Sequence, residues 1–281
     1  MNTPEFPERP WRALWALAIG LGAVVIGGIV SAIVILVRNA ATTPPVHRDG
    51  LVGVALHGSP PVVIFTGTLA QDLALVAGAV LVAAAALEGR VTAAHLGLRA
   101  TRLPVAAGLV AGGYLTFVVL SAIWTSALHI TAHENVPVEL GTRDSAAALV
   151  GAALLVCVVA PIAEELFFRG FLFGALRRRG LVVATLVTGT AFGAAHVASA
   201  PIGFIVPLAA LGMLLCLLYE RTGSLYPCMA LHALNNAIAF GVGDGRPWLI
   251  PAGLAGAGAA IYGLSRAARG ELRWRLAGAT P

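Results

Sequence analysis

Residues 160–170 read Ala160-Pro-Ile-Ala-Glu-Glu-Leu-Phe-Phe-Arg-Gly170, and they sit inside an apolar run over about 146–175. Such a run is long enough to cross a bilayer, which takes about 20 apolar residues. Three ionisable side chains in one span are expensive. At about 2.5–3.5 kcal/mol each they cost roughly 9 kcal/mol, of which a dozen apolar neighbours at about −0.5 each recover roughly 6. The helix is therefore stable only where Glu164, Glu165 and Arg169 pair or face a wet cavity.

Working outward, the chain has the composition of a membrane protein throughout. Its 281 residues are 58% hydrophobic and 11% charged, with mean hydropathy +0.88. Soluble domains carry about 25% charged residues, so this surface must face lipid. Eight apolar segments are expected to span: 12–37, 61–87, 104–128, 146–175, 181–198, 202–219, 224–240 and 247–265. The fold expected is an all-α polytopic bundle, one membrane domain over 1–281. Its core is 146–240, and three accessory spans lie within 1–128. The first run, Trp11 to Val37, far exceeds the ~7–15-residue apolar stretch of a removable signal peptide, so it reads as a retained span. The segments 38–60 and 129–145 are the connections long enough to fold over a membrane face.

The net charge of +5 comes with 18 arginines and no lysine. With both termini in the cytoplasm, thirteen arginines fall on the cytoplasmic side: Arg9, Arg12, Arg90, Arg99, Arg102, Arg177, Arg178, Arg179, Arg221, Arg266, Arg269, Arg273 and Arg275. Four fall opposite: Arg38, Arg48, Arg143 and Arg246. That asymmetry is the positive-inside signal of an even number of spans. It accounts for the basic balance without nucleic acid. Cys157, Cys216 and Cys228 lie in apolar runs without C-x-x-C spacing, and read as buried small residues.

Helical geometry gives the polar residues their first roles. Glu165 and Arg169 are i, i+4 and share a face, so they are expected to pair. Glu164 points about 100° away, toward a different partner. Phe192 and His196 are i, i+4 in the fifth span, as are His232 and Asn236 in the seventh. Counted from the arginine-rich ends, these groups lie at roughly 16–26 Å depth on three helices, at about 1.5 Å per residue. A carboxylate and imidazoles around one cavity suit water activation: Glu164 with His196 as base, His232 and Asn236 as oxyanion donors. Glu164, His196 and His232 equally make a zinc-type donor set with Asn236 behind it. The sequence leaves the metal-free and zinc mechanisms both open.

Together, Glu164-Glu165-x-x-x-Arg169, Phe192-x-x-x-His196 and His232-x-x-x-Asn236 resemble the three-motif pattern of the CPBP family. These are CAAX- and bacteriocin-processing intramembrane endopeptidases, including type II CAAX prenyl endopeptidases. The resemblance covers about 146–240, and His95-Leu-Gly-Leu-Arg99 is similar to a loop preceding the family's core. It implies a multi-pass protein of the bacterial cytoplasmic membrane that cleaves a peptide or prenylated-protein substrate. It also implies that Glu164 and His196 activate water, His232 and Asn236 hold the oxyanion, and Glu165 and Arg169 support them. Phe192 is a candidate substrate contact.

Other readings fit less well. Gly241-Val-Gly243-Asp244 matches the G-x-G-D of intramembrane aspartyl proteases, with Asp72 as the one partner candidate, but it falls in a polar turn. His133-Glu134 lacks the second histidine of H-E-x-x-H. A proton-coupled transporter would use intramembrane Glu, His and Arg, and Gln71 and Asp72 would add to it, but no inverted repeat is present. A non-catalytic membrane immunity or binding protein is the third class.

Overall fold

The computed structural model describes residues 13–41, 60–89, 91–131, 136–197 and 199–277; side chains at 13, 17, 38–41 and 270–277 are outside the description. Arg9, Arg12, Arg48, Arg90, His133 and Glu134 lie outside the described residues, as do the side chains of Arg38, Arg273 and Arg275. The described residues are helical and contain no strand.

The long helices are α1 (Ala13–Ala41), α2 (Pro61–Ala86), α3 (Leu103–Ala127), α4 (Ala146–Arg179), α5 (Leu181–Ala195), α6 (Ile205–Thr222), α7 (Leu225–Gly243) and α8 (Leu249–Ala277). Each expected apolar segment falls on one of them. Five stretches are long and apolar enough to cross a membrane: Leu14–Val37, α2, α3, α4 and Ile202–Thr222. The short helix α5 is apolar but has 15 residues. In α7, His232, Asn235 and Asn236 dilute the hydropathy of a helix that is otherwise apolar. The last helix runs past residue 265 to Ala277, because a helix carrying Arg266 and Arg269 can continue in water, where no apolar marker accompanies it.

Helix α4 is not a uniform rod. It relaxes into π-helical turns at Leu155–Val159 and Leu166–Phe173. Pro161 explains the first: its ring has no N–H and would clash with a carbonyl one α-turn earlier, and a widened turn just before it relieves both problems.

Packing brings the polar helices together through small residues. A Cβ on Gly212 of α6 would stand 2.9 Å from Gly189 Cα of α5, and one on Gly193 would stand 2.7 Å from the Ile205 carbonyl. Small residues that let backbones approach closely are the usual glue of helices in lipid. Helix α2 packs on the 160–165 segment of α4, and α3 packs on α6 and α7. Cys157, Cys216 and Cys228 are free and buried.

Candidate functional site

The two adjacent glutamates of α4 turn to different neighbours. Glu165 is wholly buried, and its Oε1 accepts from Arg169 Nη1 at 2.6 Å and from His232 Nδ1 at 3.0 Å. The i, i+4 pairing of Glu165 with Arg169 is present, and α7 adds a third member. Arg169, also wholly buried, donates from Nη2 to the Gly212 carbonyl at 2.9 Å. That carbonyl is within reach because α5 and α6 meet glycine to glycine. The guanidinium also lies 4.6 Å from the centre of the Phe192 ring. A buried charge is tolerated only when paired and hydrogen-bonded, and this cluster meets that condition on three sides.

Glu164 faces His196. The Glu164 Oε2 to His196 Nε2 distance is 3.9 Å, and the side chains are 17% and 22% exposed. This is too long for a direct hydrogen bond and suits a bridging water. Glu164 Oε2 is buried with no hydrogen-bond partner.

His196 lies where α5 closes, two residues before the expected span end at 198. It is the residue that ends α5, and its Nδ1 donates to the Phe192 carbonyl at 2.8 Å. The last carbonyls of a helix have no intrahelical donor, so the imidazole satisfies one of them. The i, i+4 spacing of Phe192 and His196 thus works as a helix-end hydrogen bond. Because a carbonyl only accepts, Nδ1 carries the proton. In the neutral ring, the Nε2 lone pair is then turned toward Glu164.

Asn236 donates from Nδ2 to the Val156 carbonyl at 2.9 Å. Val156 belongs to the first π-turn, where the widened hydrogen-bond pattern makes a carbonyl accessible to a side chain. Phe192 is fully buried, with His196, His232 and Phe168 at ring-centre distances of 4.8, 5.3 and 5.3 Å. A ring enclosed in this way has no face left for a substrate. The expectation of a substrate contact gives way to a wedge that sets both imidazoles.

Asp72 of α2 belongs to this site, although no spacing pattern ties it to the motifs. It is 1% exposed, its Oδ2 has no hydrogen-bond partner, and its charge and that of Glu164 act on one another. Its unusual depth in an apolar span is the signal that could have drawn it in. Asp244 is elsewhere: it is buried, accepts from Thr142 Oγ1 and faces Arg246 Nε at 3.4 Å. The G-x-G-D aspartate therefore engages a turn, while Asp72 engages Glu164.

Among the described residues, no three His, Cys, Asp or Glu side chains form a metal-binding group. Glu165 and the Phe192 carbonyl take one nitrogen of each imidazole. Each imidazole keeps its Nε2, as a histidine does whose other nitrogen is held by an acceptor, but Glu164, His196 and His232 do not come together as a metal-binding group among the described residues.

The loop 91–102 steadies the site from the arginine-rich end. Ser224, the cap of α7, donates from Oγ to the Arg99 carbonyl at 2.6 Å, and Leu225 N–H donates to the Gly97 carbonyl at 2.9 Å. Gly97 has φ +82°, and a Cβ there would meet Tyr219 Oη at 2.6 Å; only glycine fits.

Residues 146–238 match the family model described as Type II CAAX prenyl endopeptidase Rce1-like. The match runs from the start of α4 into α7 and contains all the α4, α5 and α7 residues described above. No curated protein and no solved structure shows significant similarity to the chain.

Proposed function

We propose, from the match of residues 146–238 to the model described as Type II CAAX prenyl endopeptidase Rce1-like, that the chain is an intramembrane endopeptidase in which Glu164 and His196 activate a water for attack on a peptide carbonyl. The observation that carries this reading is the 3.9 Å gap between Glu164 Oε2 and His196 Nε2. Both atoms are acceptors when the carboxylate is ionised and the imidazole neutral. A water between them donates a proton to each, which leaves its lone pairs free to face a substrate.

In the reaction, the water loses one proton to Glu164 as its oxygen bonds to the scissile carbonyl carbon. The carbonyl π electrons move onto oxygen. Asn236 spends one amide proton on Val156 and uses the other to hold that oxyanion. His232, whose Nδ1–H is committed to Glu165, can donate to the same oxygen from Nε2 only as the imidazolium, with both ring nitrogens protonated. Collapse of the intermediate breaks the C–N bond, and the amine leaves with the proton held by Glu164. Glu165 and Arg169 do no bond-breaking; they fix the helices that carry the reacting groups. The substrate class is a prenylated or leader-type peptide whose cleavage site enters the bundle. The membrane arrangement proposed with it is eight spans, with both termini on the arginine-rich side.

The test uses the full chain in proteoliposomes with a fluorogenic prenylated peptide. Glu164→Gln is expected to lower turnover by about 10²–10⁴, the usual range for a general base, with unchanged substrate binding. An undiminished rate would remove the peptidase reading. Loss of a pH-driven flux instead of hydrolysis would favour transport.

A further inference from the structure

A cavity of about 980 Å³ lies between α3, α7 and α8, open on one side, and none of the polar residues of the candidate site lines it. Its walls are apolar and small, with Val110, Ala230, Gly258 and Ile261 among them, and Arg99, Tyr226 and Arg269 also line it. Among the described residues, no acidic side chain lines it.

We propose that this cavity binds one anionic phospholipid. Its acyl chain would lie along the apolar walls, and its phosphodiester would sit against Arg269 and Tyr226. The Tyr226 hydroxyl is buried without a hydrogen-bond partner, and the Arg269 charge acts on it. A buried hydroxyl needs an acceptor, and phosphate oxygens supply one. Arg269 donates from one nitrogen to Ser265 Oγ at 3.2 Å, which leaves the other donors of its fork for a phosphate.

Position within the bundle agrees. Tyr226 begins α7 just after Arg221, and Arg99 precedes α3, so the charged lining belongs to the arginine-rich end. That end marks the cytoplasmic leaflet, where basic pockets between membrane helices take anionic headgroups. A choline or ethanolamine headgroup would bring a second cation beside Arg269, where no acidic side chain lines the cavity among the described residues. The charge therefore selects an anionic lipid over a zwitterionic one.

The test uses the delipidated full chain in detergent, titrated with dioleoyl phosphatidylglycerol or dioleoyl phosphatidylcholine and followed by native mass spectrometry and melting temperature. One phosphatidylglycerol is expected to bind and raise Tm, with phosphatidylcholine weaker. Arg269→Gln is expected to weaken phosphatidylglycerol about tenfold, as for loss of a charge-assisted contact, and to narrow its advantage over phosphatidylcholine. A Cβ at Gly258 meets nothing within 4 Å, so Gly258→Leu is expected to narrow the cavity and to weaken lipid retention. Equal binding of the two lipids would overturn the proposal, as would an unchanged affinity in Arg269→Gln. So would an equal Tm rise with glycerol phosphate alone, or displacement of the lipid by a prenylated peptide. All these readouts are independent of peptidase turnover.

Discussion

Two glutamates one residue apart live in opposite environments. Glu165 is sealed, with Arg169 at 2.6 Å and His232 at 3.0 Å, and no part of it is exposed. Glu164 stands 3.9 Å from His196 and keeps a share of accessible surface. The difference follows from the helix: successive side chains diverge by about 100°, so one carboxylate turns into the α6–α7 seam and its neighbour into the gap beside α5. Glu165 takes both donors on one oxygen, and its Oε2 is buried without a partner; a fully sealed carboxylate suits architecture because water does not reach it. Glu164 also has an oxygen without a partner, but it keeps accessible surface beside His196, and that openness suits chemistry. The same residue type serves both ends because its surroundings differ.

Breaking the sealed side is expected to cost the most. Arg169→Met leaves Glu165 buried without its cation, a loss of about 3–5 kcal/mol, read as a lower Tm and poor recovery from membranes. Unchanged melting would mean that the cluster is not what joins α4 to α6 and α7.

The comparison can be sharpened on the open side with Asn236→Ala, which removes a proposed oxyanion donor. Turnover is expected to fall about 10²–10³, with KM nearly constant. A rise in KM alone would make Asn236 a binding group instead. The smallest effect is expected at the rim. Ser224→Ala removes the cap of α7 and the tie to the Arg99 carbonyl, and about 1 kcal/mol of stability, read as a modest drop in Tm with turnover per folded molecule retained.

Local periodicity made much of this legible before any coordinates. The Glu165–Arg169 pair and the divergence of Glu164 follow from 3.6 residues per turn within a single helix. What escaped depends on where helices end and on what lies across from them. The fifth span reads as running to 198, past His196, yet the helix stops at Ala195. The Glu165–His232 bond joins residues 67 apart in sequence, and no spacing rule predicts it. Phe192 looks available for substrate until its neighbours enclose it. Asp72 stands alone in α2, without a repeated pattern to connect it to α4. No spacing pattern marks the π-turns, and their consequence, an acceptor for Asn236 at Val156, needs the three-dimensional arrangement.

The most direct test measures kcat and Tm on matched preparations of Glu164→Gln and Glu165→Gln. The first variant should melt as the parent does and turn over orders of magnitude more slowly, while the second should melt well below the parent. A Glu164→Gln enzyme with parental kcat, or a Glu165→Gln protein with parental Tm, would contradict the division of labour between the two carboxylates.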